Sequence, residues 1–291
     1  MTERHAFRAM GTEIELLVDC GGDAEAQLAA AEAEFHRLEA LLSRFREDSE
    51  LSRLNAAGSL DAGPDLVRVV ELALAAHERS RGLFDPTVHD AVVAAGYDRS
   101  FELVPPEDDE WAGAPMPMDR HGHRPMAIHV SRARIELSAG VRIDLGGIAK
   151  GYAAERAAEV LASAGPCLVN AGGDIATRGG SWPVGVETAG EPLTLELSHG
   201  SALATSGRDR RRWRRNGYEL HHLIDPRTGA PSAGDLLRVT VVAADAVDAE
   251  VAAKALFLVG ADRAADDANA SGMPAVLVTN NGHTILAGGL G

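Results

Sequence analysis

The centre of the chain carries Ile143-Asp144-Leu145-Gly146-Gly147-Ile148-Ala149-Lys150-Gly151-Tyr152, in which two glycines join an apolar run to an amphipathic pattern. This order predicts a strand, a glycine turn and a helix. Glycine allows close approach of a ligand to the backbone, and the free N–H groups of a helix start attract anions. Lys150 adds a charge suited to phosphate. The stretch predicts a phosphate-binding turn or, alternatively, a tight strand-to-helix connection with Lys150 in water.

Further stretches share this character. Leu168-Val169-Asn170-Ala171-Gly172-Gly173-Asp174-Ile175 is an apolar strand ending in glycines and an acid. Ala204-Thr205-Ser206-Gly207 is followed by His221-His222-Leu223-Ile224-Asp225-Pro226-Arg227-Thr228-Gly229. Met10-Gly11-Thr12, residues 43–55 and Gly82-Leu83-Phe84-Asp85-Pro86-Thr87-Val88 complete the set. In this order the motifs resemble the FAD:protein FMN transferase family (the ApbE type).

The resemblance implies an α+β fold, in which mixed and antiparallel sheets pack with helices in a T-fold-like architecture, as a single domain over residues 1–291. It also implies a reaction: FAD is bound, its pyrophosphate is cleaved, AMP leaves, and FMN is esterified to a threonine or serine of an acceptor flavoprotein. Two alternatives stay open. One is an FAD pyrophosphatase, in which water replaces the acceptor, and the other is a flavin-binding protein without activity.

The reaction needs a base for the acceptor hydroxyl, and His222 is the predicted base. It precedes Leu223-Ile224-Asp225-Pro226, as in the family's His-x-Ile-Asp-Pro pattern, and imidazole titrates near neutrality. Asp225 is predicted to orient a neighbouring group or to cap the turn. On a strand, His221 points to the opposite face, so only one of the two histidines can serve the site. The alternative for His222 is a polar strand residue facing solvent.

The resemblance places FAD against several motifs. Apolar and aromatic faces suit a flavin or adenine ring, and hydroxyls with backbone N–H groups suit phosphate. Asp144 suits a ribose hydroxyl or a ring nitrogen, or it caps the helix that follows. The predicted FAD-binding residues are Met10, Phe45, Leu83, Phe84, Asp85, Asp144, Gly146, Lys150, Thr205, Ser206 and Gly207.

The resemblance also implies Mg²⁺, held by the backbone carbonyl of Gly147 and by an Ala-Asp-x-x-Ala/Ser-Thr motif. Here the chain has Glu250 for the aspartate and Lys254 for the threonine, and an ammonium group cannot ligate a metal. One hypothesis keeps the metal on Gly147, Glu250 and phosphate oxygens. In the other, the Lys254 ammonium replaces the ion and Glu250 holds it. An ordinary salt bridge between Glu250 and Lys254 is the third alternative.

Composition limits the classes of partner. The net charge of −15 argues against general nucleic-acid binding. The run Arg208-Asp209-Arg210-Arg211-Arg212-Trp213-Arg214-Arg215 ends at a hairpin signal, Asn216-Gly217. It predicts a solvated turn or, alternatively, contact with an acidic partner surface. Prolines near residues 104–125 predict an exposed loop, and His121-Gly122-His123 within it is interpreted as solvated rather than metal-binding.

The first residues lack the apolar core of a signal peptide, and no run reaches transmembrane length. The chain as given is therefore predicted to be cytoplasmic, although many members of this family look exported. Cys20 and Cys167 are predicted to be buried free thiols. Periodicity predicts a strand from Glu13 to Cys20 and helices over residues 28–45, 66–82, with Asp65 as N-cap, and 247–259.

Overall fold

A computed structural model describes residues 1–108, 127–198 and 200–290. His121 and His123 lie outside the described residues. The helices are α1 (Glu25–Leu42), α2 (Glu50–Ala57), α3 (Pro64–Arg79), α4 (His89–Ala94), α5 (Ala149–Leu161), α6 (Ala246–Val259) and α7 (Ala261–Ser271). The strands are β1 (Thr2–Ala9), β2 (Thr12–Asp19), β3 (Ser59–Asp61), β4 (Glu107–Asp108), β5 (Ile128–Ser131), β6 (Arg134–Leu137), β7 (Cys167–Ala171), β8 (Ile175–Arg178), β9 (Ser181–Val186), β10 (Leu193–Ser198), β11 (Ala202–Gly207), β12 (Arg212–Arg215), β13 (Tyr218–His221), β14 (Ile224–Asp225), β15 (Ala230–Pro231), β16 (Leu236–Ala243), β17 (Ala275–Thr279) and β18 (Thr284–Ala287).

The chain forms two compact units. The first unit comprises Met1–Glu39, Ile148–Ser206 and Gly234–Gly291, and the second comprises Ala40–Gly147 and Gly207–Ala233. None of the helices in the described residues is both long and apolar enough to cross a membrane. Both cysteines are free and buried, as predicted.

The first unit is built on a sheet with the strand order β1-β2-β7-β8-β11-β16-β17-β18. The predicted alternation along β2 is confirmed, because Ile14, Leu16 and Val18 are fully buried. Helix α5 packs on β7 and β8, α6 packs on β16, and α5 contacts α6. The β9–β10 hairpin contributes to a separate apolar cluster, formed by Leu168, Ile175, Val184, Val186, Leu197, Leu203 and Val276. Helices α5 and α6 are therefore both positioned against the same sheet.

The second unit contains three small sheets, with the strand orders β3-β6-β5, β13-β12-β4 and β14-β15. Helix α2 begins after Ser49, whose hydroxyl accepts the N–H of Ser52, and ends at Gly58 in the left-handed region (φ 72°). Such caps satisfy the free polar groups of helix ends. The apolar core of this unit gathers around Trp213 and comprises Ala91, Val92, Ala95, Tyr97, Val104, Trp213, Leu220 and Ile224.

The strand predicted before Asp144 is wrong, because residues 141–145 are not in a strand. Ile143 donates its N–H to Asn55 Oδ1 at 2.8 Å, and Asn55 Nδ2 donates to the Ile143 carbonyl at 2.8 Å. The N–H of Asp144 donates to the carbonyl of Pro86 at 2.8 Å. One side-chain amide thus satisfies both backbone groups of Ile143, so a neighbouring strand is not required.

Two further details differ from the sequence predictions. The N-cap of α3 is Gly63, with Pro64 at the first helical position, whereas Asp65 had been predicted there. Proline suits this position because its missing N–H has no helical partner. The basic run is not simply a solvated turn, because Trp213 and Arg215 of β12 are buried (2% and 3% exposed). Strand alternation places every second side chain inside.

Candidate active site

An ion-pair cluster forms at the start of α5 in the first unit. Lys150 Nζ donates to Glu250 Oε1 at 2.9 Å and also to Asp174 Oδ2. Glu250 Oε2 accepts the N–H of Gly151 at 2.9 Å. Ile148, the N-cap residue of α5, has no side-chain acceptor, so Glu250 satisfies one of the free N–H groups of this helix start. The predicted anion-binding lysine is therefore held by two acids rather than standing in water.

Gly151 makes this arrangement sterically possible. A Cβ atom at Gly151 would lie 2.6 Å from the carbonyl oxygen of Ala246 and 3.1 Å from Glu250 Oε2. Real Cβ atoms do not approach backbone oxygen so closely, and α6 therefore lies against the first turn of α5 only because residue 151 has no side chain. This close approach brings the Glu250 carboxylate to the helix start.

Asp174 is almost completely buried (2% exposed). Burial raises the pKa of this carboxyl from 3.8 to about 6, and the charge of Glu250 also raises it, while Lys150 and Lys254 lower it. Loss of water disfavours the charged form more than the two lysines restore it. Sequence reasoning assigned no role to Asp174, although an acid directly after a strand and two glycines was a usable signal.

Three of the predicted motifs meet in the first unit. Gly172 (φ 68°) lies so close to Thr12 that a Cβ atom would fall 2.2 Å from its hydroxyl oxygen. A Cβ atom at Gly173 (φ 105°) would lie 3.8 Å from Thr205 Cβ. The Thr205 hydroxyl is hydrogen-bonded to the Thr240 hydroxyl at 2.9 Å. The glycine turn that leads to Asp174 therefore lies beside the predicted phosphate-binding hydroxyls, of which Ser206 is buried.

Met10 adopts an unusual backbone conformation in the turn between β1 and β2. Its φ is 52° and that of Gly11 is 68°, and Ala9 pairs with Thr12 across the turn. Two-residue hairpin turns of this kind favour asparagine or glycine, and a long side chain is rare there. The backbone N–H of Met10 donates to Glu39 Oε1 at 2.8 Å. The flavin contact of the Met10 side chain stays a prediction.

In the second unit, Asp144 is held by two donors. Arg44 Nε lies 3.0 Å from Asp144 Oδ2, and the N–H of Gly146 donates to Asp144 Oδ1 at 2.6 Å. The Arg44 guanidinium carbon also lies 4.1 Å from the ring centroid of Phe45 and 4.7 Å from that of Tyr97. Such cation–π contacts are strongest away from water, and the Arg44 side chain is only 7% exposed. The Arg44 guanidinium thus contacts Asp144 and the rings of Phe45 and Tyr97 at the same time.

Phe45 is the exposed member of an aromatic cluster. It is 37% exposed, whereas Tyr97 is 9% exposed, and their ring centroids are 5.5 Å apart. Tyr97 in turn packs on Trp213 at 5.7 Å. Burial raises the pKa of the Tyr97 hydroxyl, and Arg211 and Arg44 oppose that shift. The predicted ring-binding residue Phe45 therefore packs against Tyr97 and keeps part of its ring exposed. Sequence reasoning missed Arg44, which contacts the Phe45 ring.

The segment around Phe84 has clear structural contacts. Phe84 is buried (3% exposed), and its carbonyl is hydrogen-bonded to His77 Nδ1 at 3.0 Å. Asp85 Oδ1 accepts the N–H and the hydroxyl of Thr87 at 2.8 and 2.7 Å, which caps the short turn that follows. Leu83 is half-buried. Phe84 thus contributes to packing, while a flavin contact for these three residues stays a prediction.

The two adjacent histidines have different environments. His221 is buried, and its Nε2 is hydrogen-bonded to the carbonyl of Ser232 at 2.9 Å. Its Nδ1 accepts the N–H of Leu223 at 3.3 Å, and burial lowers the pKa of His221. Strand β13 ends at His221, so His222 lies half-buried in the connection to β14. The strand alternation expected for the pair is therefore absent, but the predicted base is still the more accessible of the two.

Asp225 closes its own turn. Arg227 donates to both carboxylate oxygens, with Nη2 2.7 Å from Oδ2 and Nε 2.9 Å from Oδ1. The carbonyl of Asp225 accepts the N–H groups of Thr228 and Gly229 at 3.1 and 2.8 Å. Of the two roles predicted for Asp225, these contacts correspond to capping the turn at Pro226.

The residues around Glu250 do not fit a magnesium ion. Both Glu250 oxygens already accept hydrogen bonds, from Lys150 and from the N–H of Gly151, and Lys254 brings a second ammonium group one turn further along α6. Mg²⁺ requires a near-octahedral set of oxygen ligands. Within residues 1–108, 127–198 and 200–290, no three histidine, cysteine, aspartate or glutamate side chains are grouped so that they could hold a metal ion.

Known proteins resemble this chain over most of its length. The sequence model of the ApbE family matches residues 10–277. The FAD:protein FMN transferase of Treponema pallidum is 32% identical over 252 residues, covering 77% of this chain and 69% of that protein. One from Klebsiella pneumoniae is 27% identical over 277 residues, covering 89% and 78% respectively.

Solved structures confirm the predicted α+β class. The crystal structure of the ApbE protein from Thermotoga maritima matches with a TM-score of 0.86 at 25% identity, over 99% of this chain and 97% of that one. The flavin transferase ApbE from Vibrio cholerae matches with a TM-score of 0.82 at 22% identity, over 99% and 97%, a likeness that concerns the fold alone. On the family match and these relatives together, the chain belongs to the ApbE family.

Proposed function

We propose that this protein is an FAD:protein FMN transferase, which cleaves FAD and attaches FMN to a threonine or serine hydroxyl of an acceptor flavoprotein. The relatives named FAD:protein FMN transferase support this assignment. The observation that carries it is the meeting of the Thr12, Gly172 and Thr205 motifs in the first unit. In the same unit Lys150 is fixed at a helix start, a combination suited to a phosphorylated ligand.

The reaction breaks the phosphoanhydride bond of FAD and forms a phosphoester bond to the acceptor. The acceptor oxygen bonds to the phosphorus that carries riboflavin, the bond from this phosphorus to the bridging oxygen breaks, and AMP leaves with that oxygen. His222 takes the proton of the attacking hydroxyl. His222 suits this role better than His221 because both nitrogens of His221 are engaged by the backbone. The remaining requirement is positive charge near the pyrophosphate.

Two lysines supply this charge in the proposal. Of the 28 lysine and arginine residues in the chain, only Lys150 and Lys254 are lysines, and both influence buried Asp174. A compact ammonium group fits where a branched guanidinium does not. Asp174 and Glu250 fix the position of the Lys150 ammonium group at the start of α5. We assign to this lysine pair the neutralising role that the family resemblance gives to Mg²⁺.

Chelation distinguishes the lysine pair from a metal held by Gly147, Glu250 and phosphate oxygens. FAD binding and AMP release are measured in wild type and Lys254→Thr, first with excess chelator and then with Mg²⁺ restored. Wild type is expected to bind FAD in chelator and to gain little from Mg²⁺, whereas the variant should depend on the ion more strongly. If wild type is fast with Mg²⁺ and inactive without it, the lysine assignment is wrong.

The activity itself is tested with FAD and candidate acceptor proteins. AMP release is followed by chromatography, and intact mass spectrometry detects the addition of FMN to the acceptor. A transferase gives AMP and modified acceptor in equal amounts. AMP and free FMN without an acceptor would instead indicate an FAD pyrophosphatase, and FAD binding without AMP release would indicate a flavin-binding protein.

A further inference from the structure

The hairpin of β12 and β13 carries the most concentrated positive charge in the sequence. Residues 208–215 include six arginines and one acid, in a chain with a net charge of −15. The hairpin turns at Asn216 and Gly217, with φ 49° and 78°, which is the turn chemistry that fits two antiparallel strands. An acidic protein that gathers arginines on one hairpin presents a local field opposite to that of the whole molecule.

Strand alternation divides the three arginines of β12 into two groups. Arg215 points inward, is 3% exposed, and donates to the carbonyl of Pro105 at 3.0 Å. Arg212 and Arg214 point outward, with 58% of each side chain exposed. Of the β12 arginines only this second group is exposed, and we define the surface of the basic hairpin by Arg212 and Arg214.

Among the described residues, Arg212 and Arg214 have only long-range ion-pair partners. Arg212 Nη1 lies 3.7 Å from Glu219 Oε2, and Arg214 Nη1 lies 4.0 Å from Glu107 Oε1. These separations exceed hydrogen-bond length, and such exposed pairs contribute little. Elsewhere exposed arginines pair closely, as in Arg263 with Asp267 at 3.2 Å. The guanidinium donors of the basic hairpin thus remain available to carboxylates of another molecule.

The basic hairpin lies next to the proposed catalytic base. Arg212 is the direct cross-strand partner of His221, and His222 follows immediately in the chain. Along β12, Arg212 and Arg214 stand about 7 Å apart, which matches alternate side chains of an extended peptide. At the turn end, Tyr218 is 66% exposed, in a chain with 4% aromatic residues. Tyrosine and arginine are the residues enriched where proteins bind each other.

We propose that the basic hairpin is the docking surface for the acceptor protein and that it binds an extended acidic segment flanking the acceptor threonine or serine. The proposal rests on the proposed transferase function, because only an acceptor has to reach His222. Carboxylates at alternate positions of that segment pair with Arg212 and Arg214. The charge contrast accelerates encounter and favours acceptors with acidic flanks over those with neutral or basic ones.

The probe is a fluorescein-labelled peptide with one threonine between two Glu-Ser-Glu segments, and its partner has glutamine in place of every glutamate. Binding is measured without FAD by fluorescence anisotropy at low ionic strength, where surface charges are least screened. The acidic peptide is expected to bind about tenfold more tightly than the glutamine peptide. Arg212→Glu with Arg214→Glu should abolish this preference, and Arg212→Lys with Arg214→Lys should retain most of it.

The matched control is Arg4→Glu with Arg263→Glu, which makes the same change in net charge at side chains 69% and 64% exposed in the first unit. It should bind the acidic peptide as wild type does. The proposal is overturned if the hairpin and control variants behave alike, or if the two peptides bind equally. It is also overturned if single-stranded RNA displaces the peptide and binds more tightly through the same arginines.

Turnover of FAD is measured separately in the wild type. A wild type that releases no AMP yet prefers the acidic peptide would remove the proposed function and leave the surface assignment in place. If the wild type releases AMP but binds both peptides equally, the proposed function stands and the surface assignment is wrong. A mass spectrum of each peptide after incubation with FAD then reports whether the bound threonine receives FMN.

Discussion

At the scale of single residues, the adjacent histidines His221 and His222 have different environments. His221 is buried and hydrogen-bonded at both ring nitrogens to backbone groups, and burial lowers its pKa. His222 stands half-buried after the end of β13. A general base has to reach its substrate and to titrate near the working pH. Of these two imidazoles, only His222 is placed to satisfy the first condition.

Replacement of His222 by alanine is expected to slow AMP release roughly 10²–10⁴-fold while FAD binding is retained, because a positioned base contributes about that factor. Turnover and flavin fluorescence titration measure the two effects. His129→Ala, at an exposed histidine of β5, is the control and should leave both unchanged. Equal losses of binding and rate in the His222 variant would give this residue a structural role instead.

Asp174 should make stability depend on pH. Its pKa of about 6 in the folded protein exceeds the ordinary value of 3.8, so the folded state binds this proton more tightly than the unfolded state. Its contribution is therefore fully present below about pH 4 and is lost as the pH rises through about 6. Asp174→Asn lacks this dependence, and the stability of wild type relative to the variant should fall by roughly 3 kcal/mol across that window.

Urea unfolding at a series of pH values measures this difference. Asp48→Asn, at a carboxylate 75% exposed, is the control and should track wild type throughout. A constant difference between wild type and Asp174→Asn from about pH 4 to about pH 7 would show that the charge of Asp174 is fully compensated by its lysine neighbours.

At the scale of elements, the contact between α5 and α6 organises the ion-pair cluster. The two helices approach at Gly151 and Ala246, and the N–H of Ala246 donates to Glu155 Oε1 of α5 at 2.7 Å. Each helix thus satisfies a free N–H group at the start of the other, through Glu155 and Glu250. The spacing between the helices therefore sets the position of Lys150.

Gly151→Ala is expected to destabilise the protein by roughly 1–3 kcal/mol, because the new methyl group meets backbone oxygen that cannot move aside. This loss outweighs the gain of about 1 kcal/mol that alanine gives in an unconstrained helix. The urea midpoint measures it. Gly185→Ala is the control, since a Cβ atom there meets nothing within 4 Å. A stabilised Gly151 variant would mean that α6 can shift away from α5.

At the scale of the whole molecule, binding of FAD should stabilise the folded chain. A ligand that binds only the folded state adds about 2.7 kcal/mol at a concentration one hundred times its dissociation constant. The melting temperature should therefore rise with FAD concentration, and AMP alone should have a smaller effect because it lacks the flavin ring. Differential scanning fluorimetry is unsuitable beside a flavin, so circular dichroism is used. No shift at saturating FAD would contradict FAD binding.

Local patterns were sufficient to predict several elements of both units. The alternation of β2, the helical spacing of α5 and α6 and the hairpin of β12 and β13 were all recoverable, because side-chain periodicity follows from the backbone itself. Helix α7 was not predicted, since its segment is rich in alanine and aspartate and its buried face consists only of the small residues Ala261, Ala264 and Ala268. The strand expected before Asp144 failed because a distant side chain, Asn55, took both hydrogen bonds of Ile143.

The amino-acid sequence by itself determined the family, the α+β class and the residue types available for the chemistry. The order of the motifs can be read from the sequence alone. So can the presence of Glu250 and Lys254 where the family pattern has aspartate and threonine. Only the tertiary structure decided which charges meet: Lys150 pairs with Asp174 and Glu250, 24 and 100 residues away. It also decided that Arg212 and Arg214 face outward while Arg215 is buried. The physical reason is that ion pairing and desolvation depend on distance and burial, which the packing of helices and strands sets and sequence spacing does not.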